Sequence, residues 1–119
     1  MSNNVYWTVE LSVKDGELDT FRKLMMEMVE TTQTNEPGTL NYEWTISKDS
    51  RTVHIYERYE DSAAVLTHMG TFGEKFAERF LAAVNQTRFM VYGNPNDEAK
   101  SVLTGVGADF MSPWGGFAR

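Results

Sequence analysis

The sequence predicts an α+β domain of order β-α-β-β-α-β, the split βαβ arrangement of ferredoxin-like folds, with one antiparallel sheet and both helices on the same face. Three observations carry that expectation. Four segments alternate apolar and polar residues with period two, and two longer segments place their apolar residues on a single helical stripe. Pro37-Gly38, Lys48-Asp49-Ser50-Arg51 and Asp61-Ser62 punctuate the middle of the chain, so that the two central strands form a hairpin. The chain has 119 residues, 41% hydrophobic and 24% charged, which makes one soluble domain able to bury a core without staples.

The first strand is Val5 to Val13. Val5, Trp7, Val9, Leu11 and Val13 take one face, and Tyr6, Thr8, Glu10 and Ser12 the other. Asp15-Gly16 breaks it, and Asp15 is placed to cap the helix that follows. In that helix Leu18, Phe21, Leu24, Met25, Met28 and Val29 form the stripe; it fades through Thr31-Thr32-Gln33-Thr34-Asn35, where β-branched and amide residues favour leaving the helix.

The second strand sets Leu40, Tyr42, Trp44 and Ile46 against Thr39, Asn41, Glu43 and Thr45. The third sets Val53, Ile55, Glu57 and Tyr59 against His54, Tyr56 and Arg58. Asp61-Ser62 caps the second helix, whose stripe is Val65, His68, Met69, Phe72, Phe76, Phe80 and Val84. Gly70 and Gly73 predict a kink or break within it. The fourth strand alternates Thr87, Phe89 and Val91 with Arg88, Met90 and Tyr92, ending at Gly93. Asn94-Pro95-Asn96 turns into a short helix, Asp97 to Leu103. Residues 108–119 read either as a short strand with an ordered tail or as an arm that reaches another subunit. Residues 1–94 are thus expected to form the ferredoxin-like core, and 95–119 a C-terminal extension of the same domain.

Composition excludes several function classes. Without cysteine there is no disulfide framework, thiol catalysis or thiolate metal site. A net charge of −6 disfavours nucleic acid and anionic membrane surfaces, which need a basic footprint. No apolar run is long enough to cross a membrane, and Met1-Ser2-Asn3-Asn4 has no basic n-region, so the expected location is the cytoplasm. Two histidines without ligand spacing leave no metal site expected, and Gly70-Thr71-Phe72-Gly73 is too short and apolar to cradle phosphate.

The polar face of the sheet carries Tyr6, Tyr56, Tyr92 and Met90 among charges of both signs. It fits either a solvated face or contact with a second copy across a twofold axis, with Glu10 and Glu43 pairing with Arg58 and Arg88.

Glu57 and His68 are polar residues at positions the periodicity assigns to the interior, where a carboxyl without a partner costs several kcal/mol. Glu57 lies ~13 Å back from the Asp61 turn along its strand. His68 lies ~10 Å back along its helix. A helix folded over the strand brings them to similar depth. Two readings stand: an acid–base pair in a cavity lined by Trp7, Tyr42, Trp44, Tyr59, Phe72 and Phe76, or a purely structural polar pair.

Glu36-Pro37-Gly38, Leu40-Asn41-Tyr42-Glu43, Tyr56-Glu57-Arg58-Tyr59-Glu60-Asp61, Ala64 and His68 together resemble the antibiotic biosynthesis monooxygenase domain, over roughly residues 5–93. The resemblance implies a homodimeric α/β barrel built by sheet-to-sheet packing, with a pocket between sheet and helices. It also implies oxidation of quinols or anthrone-like rings by O₂ with no cofactor, Glu57 and His68 as catalytic base and proton carrier, and Trp7, Tyr42 and Tyr59 holding the ring. The competing expectation is a non-enzymatic ligand-binding or structural dimer. Haem-degrading relatives place a Trp where Glu57 stands and a His near Phe76, and carry an Asn on the first strand. This chain departs at each, so haem degradation is not expected.

Overall fold

The computed structural model describes residues 2–119. The elements are β1 (Val5–Val13), α1 (Leu18–Asn35), β2 (Thr39–Ile46), β3 (Thr52–Tyr59), α2 (Ser62–Thr71), a π-helical turn (Phe72–Phe76), α3 (Ala77–Ala83), β4 (Val84–Gly93), α4 (Asp97–Gly105) and β5 (Asp109–Met111). The fold is ferredoxin-like α+β, with helices on one face of an open sheet of order β2-β3-β1-β4-β5. The first four strands are antiparallel, as expected. β5 joins the β4 edge in parallel, so the sheet is mixed rather than wholly antiparallel.

The inward row is the predicted one. Val5, Trp7, Val9, Leu11, Val53, Ile55, Phe89 and Val91 are all buried. Trp7 packs between Tyr59 and Phe89, with ring centroids at 4.7 and 5.4 Å, an arrangement that adds aromatic contact to area burial. Phe21 from α1 meets Trp44 and Phe80, and Arg79 of α3 grips Glu27 of α1 at 2.7 and 3.2 Å.

Several expectations need correction. Leu40 and Ile46 do not join the core: they are 43% and 52% exposed, because β2 is an edge strand and Leu40 is skipped where the β2–β3 register shifts between Thr39 and Asn41. Asp15 does not cap α1; Glu17 holds the N-cap position, with no side-chain hydrogen bond. That helix also runs on to Asn35, because Thr32, one turn beyond Met28, is buried and continues the stripe.

β4 begins at Val84 rather than Thr87. Arg88 pairs with Glu10 but Gln86 with Leu11, so Thr87 is the bulged residue, its hydroxyl donating to the Glu10 carbonyl at 3.0 Å. The bulge reverses parity, which is why Val84 and Phe89 can both point inward. α4 runs two residues past Leu103, to Gly105.

The break at Gly70–Gly73 takes the form of a π-helical turn. A turn with one extra residue rotates everything beyond it, so Phe72 and Phe76 no longer share the face that straight helical spacing gives them. At the far edge of β4, Gly93 has φ +97° and a Cβ there would lie 2.5 Å from the Asn4 carbonyl oxygen; only glycine closes this corner.

Candidate active site

Three elements converge on His68. Gly38 in the α1–β2 turn presses against α2, since a Cβ there would sit 2.7 Å from the Cβ of Ala64. Ala64 and His68 stand one turn apart on the same helix face. This close approach delivers Glu36, whose amide donates to the Thr32 carbonyl at 2.9 Å and whose carbonyl accepts from Thr39 at 3.0 Å. Glu36 Oε1 then lies 2.8 Å from His68 Nδ1. From the sheet, Glu57 occupies the inward row between Tyr42 of β2 and Trp7 of β1, and its Oε1 lies 3.3 Å from His68 Nε2.

Tyr59 shares the face of Glu57 two residues on, and its hydroxyl donates to Glu57 Oε1 at 2.5 Å. Tyr42 meets the imidazole edge-on at 5.3 Å. All of Glu36, Glu57, Tyr59 and His68 are buried.

Burial opposes a charged imidazole, but the hydrogen bonds to Glu36 and Glu57 and their negative charge outweigh it and raise the His68 pKa to about 9. The ring is therefore cationic at neutral pH. Burial first, and then the charge of Glu57, push Tyr42 and Tyr59 well above the usual phenol range, so both keep their protons. Glu36 and Glu57 grip opposite nitrogens of one ring, so these donors do not converge on a point. No cluster of three or more potential metal ligands occurs among the described residues.

Glu57, His68 and Tyr42 form the polar end of a cavity of about 50 Å³. Its walls are apolar: Trp7, Val9, Met28, Ile55, Met69, Phe72, Phe80 and Phe89. Gln86 and Val106 make the exposed rim, where the Gln86 amide donates to the Val106 carbonyl at 2.9 Å.

Of the residues singled out from sequence, Glu57, His68, Trp7, Tyr42 and Phe72 line this one space, and Trp44, Tyr59 and Phe76 do not. Trp44 sits one inward position further along β2 and packs on Phe21. Tyr59 is fully buried beneath Trp7, with its hydroxyl on Glu57. Phe76 lies at the end of the π-helical turn, and Phe80 takes the wall position. In the sequence Glu36 stands out only as part of the Glu36-Pro37-Gly38 turn. The signal that points to it is an acidic residue directly after a helix stripe that ends in a buried threonine.

A model of the antibiotic biosynthesis monooxygenase family matches residues 5–86, which include every residue of this polar cluster. The chain belongs to that family. Among solved structures, MupZ from Pseudomonas fluorescens superposes with a TM-score of 0.85 at 21% identity, over 99% of this chain and 96% of that one. SnoaB from Streptomyces nogalater, a cofactor-independent oxygenase solved as its N63A mutant, gives a TM-score of 0.66 at 13% identity, over 76% of this chain and 91% of that one. A conserved protein from Methanosarcina mazei gives 0.66 at 14%, over 75% and 90%. These likenesses are of fold. No curated protein matches the sequence significantly. No helix of the described residues is long and apolar enough to cross a membrane.

Proposed function

We propose that this family member is a cofactor-independent monooxygenase that oxidises a small aromatic ring, a quinol or an anthrone-like ketone, with O₂. The observation that carries the reading is a buried charged cluster, Glu36–His68–Glu57, at the closed end of an otherwise aromatic and aliphatic cavity. Reaction of an organic anion with O₂ needs three things from a protein: a base, positive charge or donors for the developing oxyanion, and a dry apolar slot. Glu57 supplies the base, His68 the positive charge, and Tyr42 a donor that stays protonated. Trp7, Phe72 and Phe89 flank the ring.

For the ring CH₂ of an anthrone-like ketone, acidic because its anion conjugates through the flanking rings to the carbonyl across the ring, the atoms and electrons balance. Glu57 takes one proton. The resulting enolate gives one electron to O₂, and the radical pair joins through a new C–O bond. After protonation to the hydroperoxide, the second C–H proton leaves as the O–O bond breaks. The carbon becomes C=O and the distal oxygen departs in water, so CH₂ plus O₂ gives C=O plus H₂O.

The cavity is far smaller than the roughly 300–1,000 Å³ of sites for drug-sized ligands, so ring entry requires wall side chains to move. Its size also favours a second reading, a ligand-binding or structural dimer in which the cluster satisfies itself. In either reading the assembly is a homodimer through the open sheet face, working in the cytoplasm, with residues 95–119 an extension of the 1–94 core. Within one chain Glu10 lies near Arg88 and His54, at 3.8 and 3.6 Å, and Arg58 donates to Asn41 and Asn4, at 2.7 and 2.9 Å. Contacts across the twofold therefore rest more on Tyr6, Tyr56 and Tyr92 than on ion pairs.

Oxygen uptake with a panel of quinols and anthrones, in chelator and without flavin, tests the reading. Uptake above autoxidation supports the enzyme; none across the panel turns the assignment to the dimer alone.

A further inference from the structure

The geometry assigns Glu36 as a positioning residue: it holds one ring N–H of His68 while Glu57 holds the other, so that His68 serves the site as a fixed positive charge and not as a group that exchanges a proton. The inference deepens the monooxygenase reading and rests on it for its catalytic meaning, though the charge state of the ring is testable without turnover.

The argument is one of donors and acceptors. A neutral imidazole has one N–H, and its other nitrogen presents a lone pair. Here both nitrogens face carboxyl oxygens, Nδ1 at 2.8 Å from Glu36 and Nε2 at 3.3 Å from Glu57. With both carboxyls ionised, a neutral ring would set a lone pair against a carboxylate oxygen on one side or the other, whereas the doubly protonated ring presents an N–H to each, in a hydrogen bond to Glu36 and a longer ion-pair contact to Glu57. The other titratable groups facing it are Tyr42 from β2, at 5.3 Å, and Tyr59 from β3, at 5.2 Å. The Tyr59 proton is already engaged by Glu57, and neither tyrosine is anionic. Only Glu36 and Glu57 supply charges and hydrogen bonds that favour the cationic ring.

Glu36 has little else to do. Among the described residues, its side chain hydrogen-bonds beyond His68 only with the Thr39 hydroxyl, at 3.4 Å, and its second oxygen is buried without a hydrogen-bond partner. Glu57 lines the cavity and Glu36 does not, so the residue that faces a ligand and the residue that sets the charge behind it are separate.

The test is the ¹⁵N spectrum of the His68 ring in the full chain, recorded across pH in a His54→Gln background so that one histidine reports. The wild-type ring is expected to show two protonated nitrogens at pH 7. In Glu36→Gln, close in size but uncharged, titration should fall by at least about one pH unit, tenfold in the ionisation constant. Glu36→Asp should recover part of the shift. Where a rate is measurable, the acid–base limb in Glu36→Gln should move with the ring. A neutral ring at pH 7 in the wild type, or an unmoved titration in folded Glu36→Gln, overturns the inference. If Glu36→Gln does not fold, the wild-type spectrum decides alone. A missing oxygen-uptake activity would sink the enzyme reading and leave this result standing.

Discussion

The carboxyl of Glu36 and the imidazole of His68, 32 residues apart in the chain, meet at 2.8 Å inside the protein. Neither is on a surface loop: one ends a helix and the other lies on the buried face of the next. With Glu57 on the far side, the contact makes the His68 charge a component of the fold as well as of the site.

This coupling predicts a pH dependence of stability. The folded pKa of His68, about 9, lies above its unfolded value near 6.5. The stabilisation is therefore fully present below about pH 6.5 and is lost as pH rises through about 9, to a maximum on the order of 3 kcal/mol. Urea midpoints from pH 6 to 10 should fall in the wild type and stay flatter in His68→Asn over the same range.

His68→Ala removes the cation from between two buried acidic side chains. The expected cost is about 3–5 kcal/mol, the range for breaking a buried pair from one side. Any turnover should drop tens-fold or more, the scale for removing positive charge or a donor from a developing oxyanion. Denaturant unfolding and steady-state rates on the same preparation separate the two effects; unchanged turnover in folded protein contradicts the catalytic role.

Tyr59→Phe keeps the ring under Trp7 and removes only the hydroxyl that donates to Glu57. A hydrogen bond to a charged group is worth about 1.5–3 kcal/mol, so the unfolding free energy should fall by that amount, read as a lower urea midpoint with an unchanged slope. A shift below about 0.5 kcal/mol would mean that Glu57 finds another partner.

Most of the fold was legible, and the reasons are visible in particular residues. Alternation in β1 and β3 is long and strongly patterned and the buried rows of both strands follow it, whereas the stripe of the second helix holds only as far as Met69 before the π-helical turn redirects it. Glu57 and His68 were legible for the opposite reason: each breaks an apolar row, and a break in a pattern is a sequence-level observation. Glu36 breaks none, because it stands at the C-cap of α1, past the apolar stripe and before the Pro37-Gly38 turn. Its burial depends on Gly38 touching Ala64, a contact between distant parts of the chain. The bulges at Leu40 and Thr87 and the π-helical turn shift parity by one residue, which periodicity cannot locate. For the same reason helical spacing points to Phe76 as a wall of the cavity, whereas Phe80 holds that position.

Glycine substitutions test the same point. Gly93→Ala forces a Cβ into the Asn4 carbonyl at a positive φ and should cost well over 1 kcal/mol. Gly73→Ala meets nothing within 4 Å and should be neutral or stabilising. Thermal midpoints of the two variants should separate clearly; equal midpoints would contradict the packing at the β1–β4 corner.

The proposed sheet-to-sheet dimer predicts that Tyr6→Arg, which breaks the Tyr6–Tyr92 stack at 5.4 Å, sediments as a monomer while far-ultraviolet circular dichroism is retained. An unaltered profile counts against sheet-to-sheet assembly.

The measurement that tests the central claim most directly is isotope incorporation under ¹⁸O₂, with an anthrone-like substrate and the wild-type protein. One labelled atom in the new ring carbonyl and one in water is the predicted outcome, with incorporation abolished in Glu57→Gln. Product without label, or O₂ returned wholly as hydrogen peroxide, would contradict a monooxygenase working from this cavity.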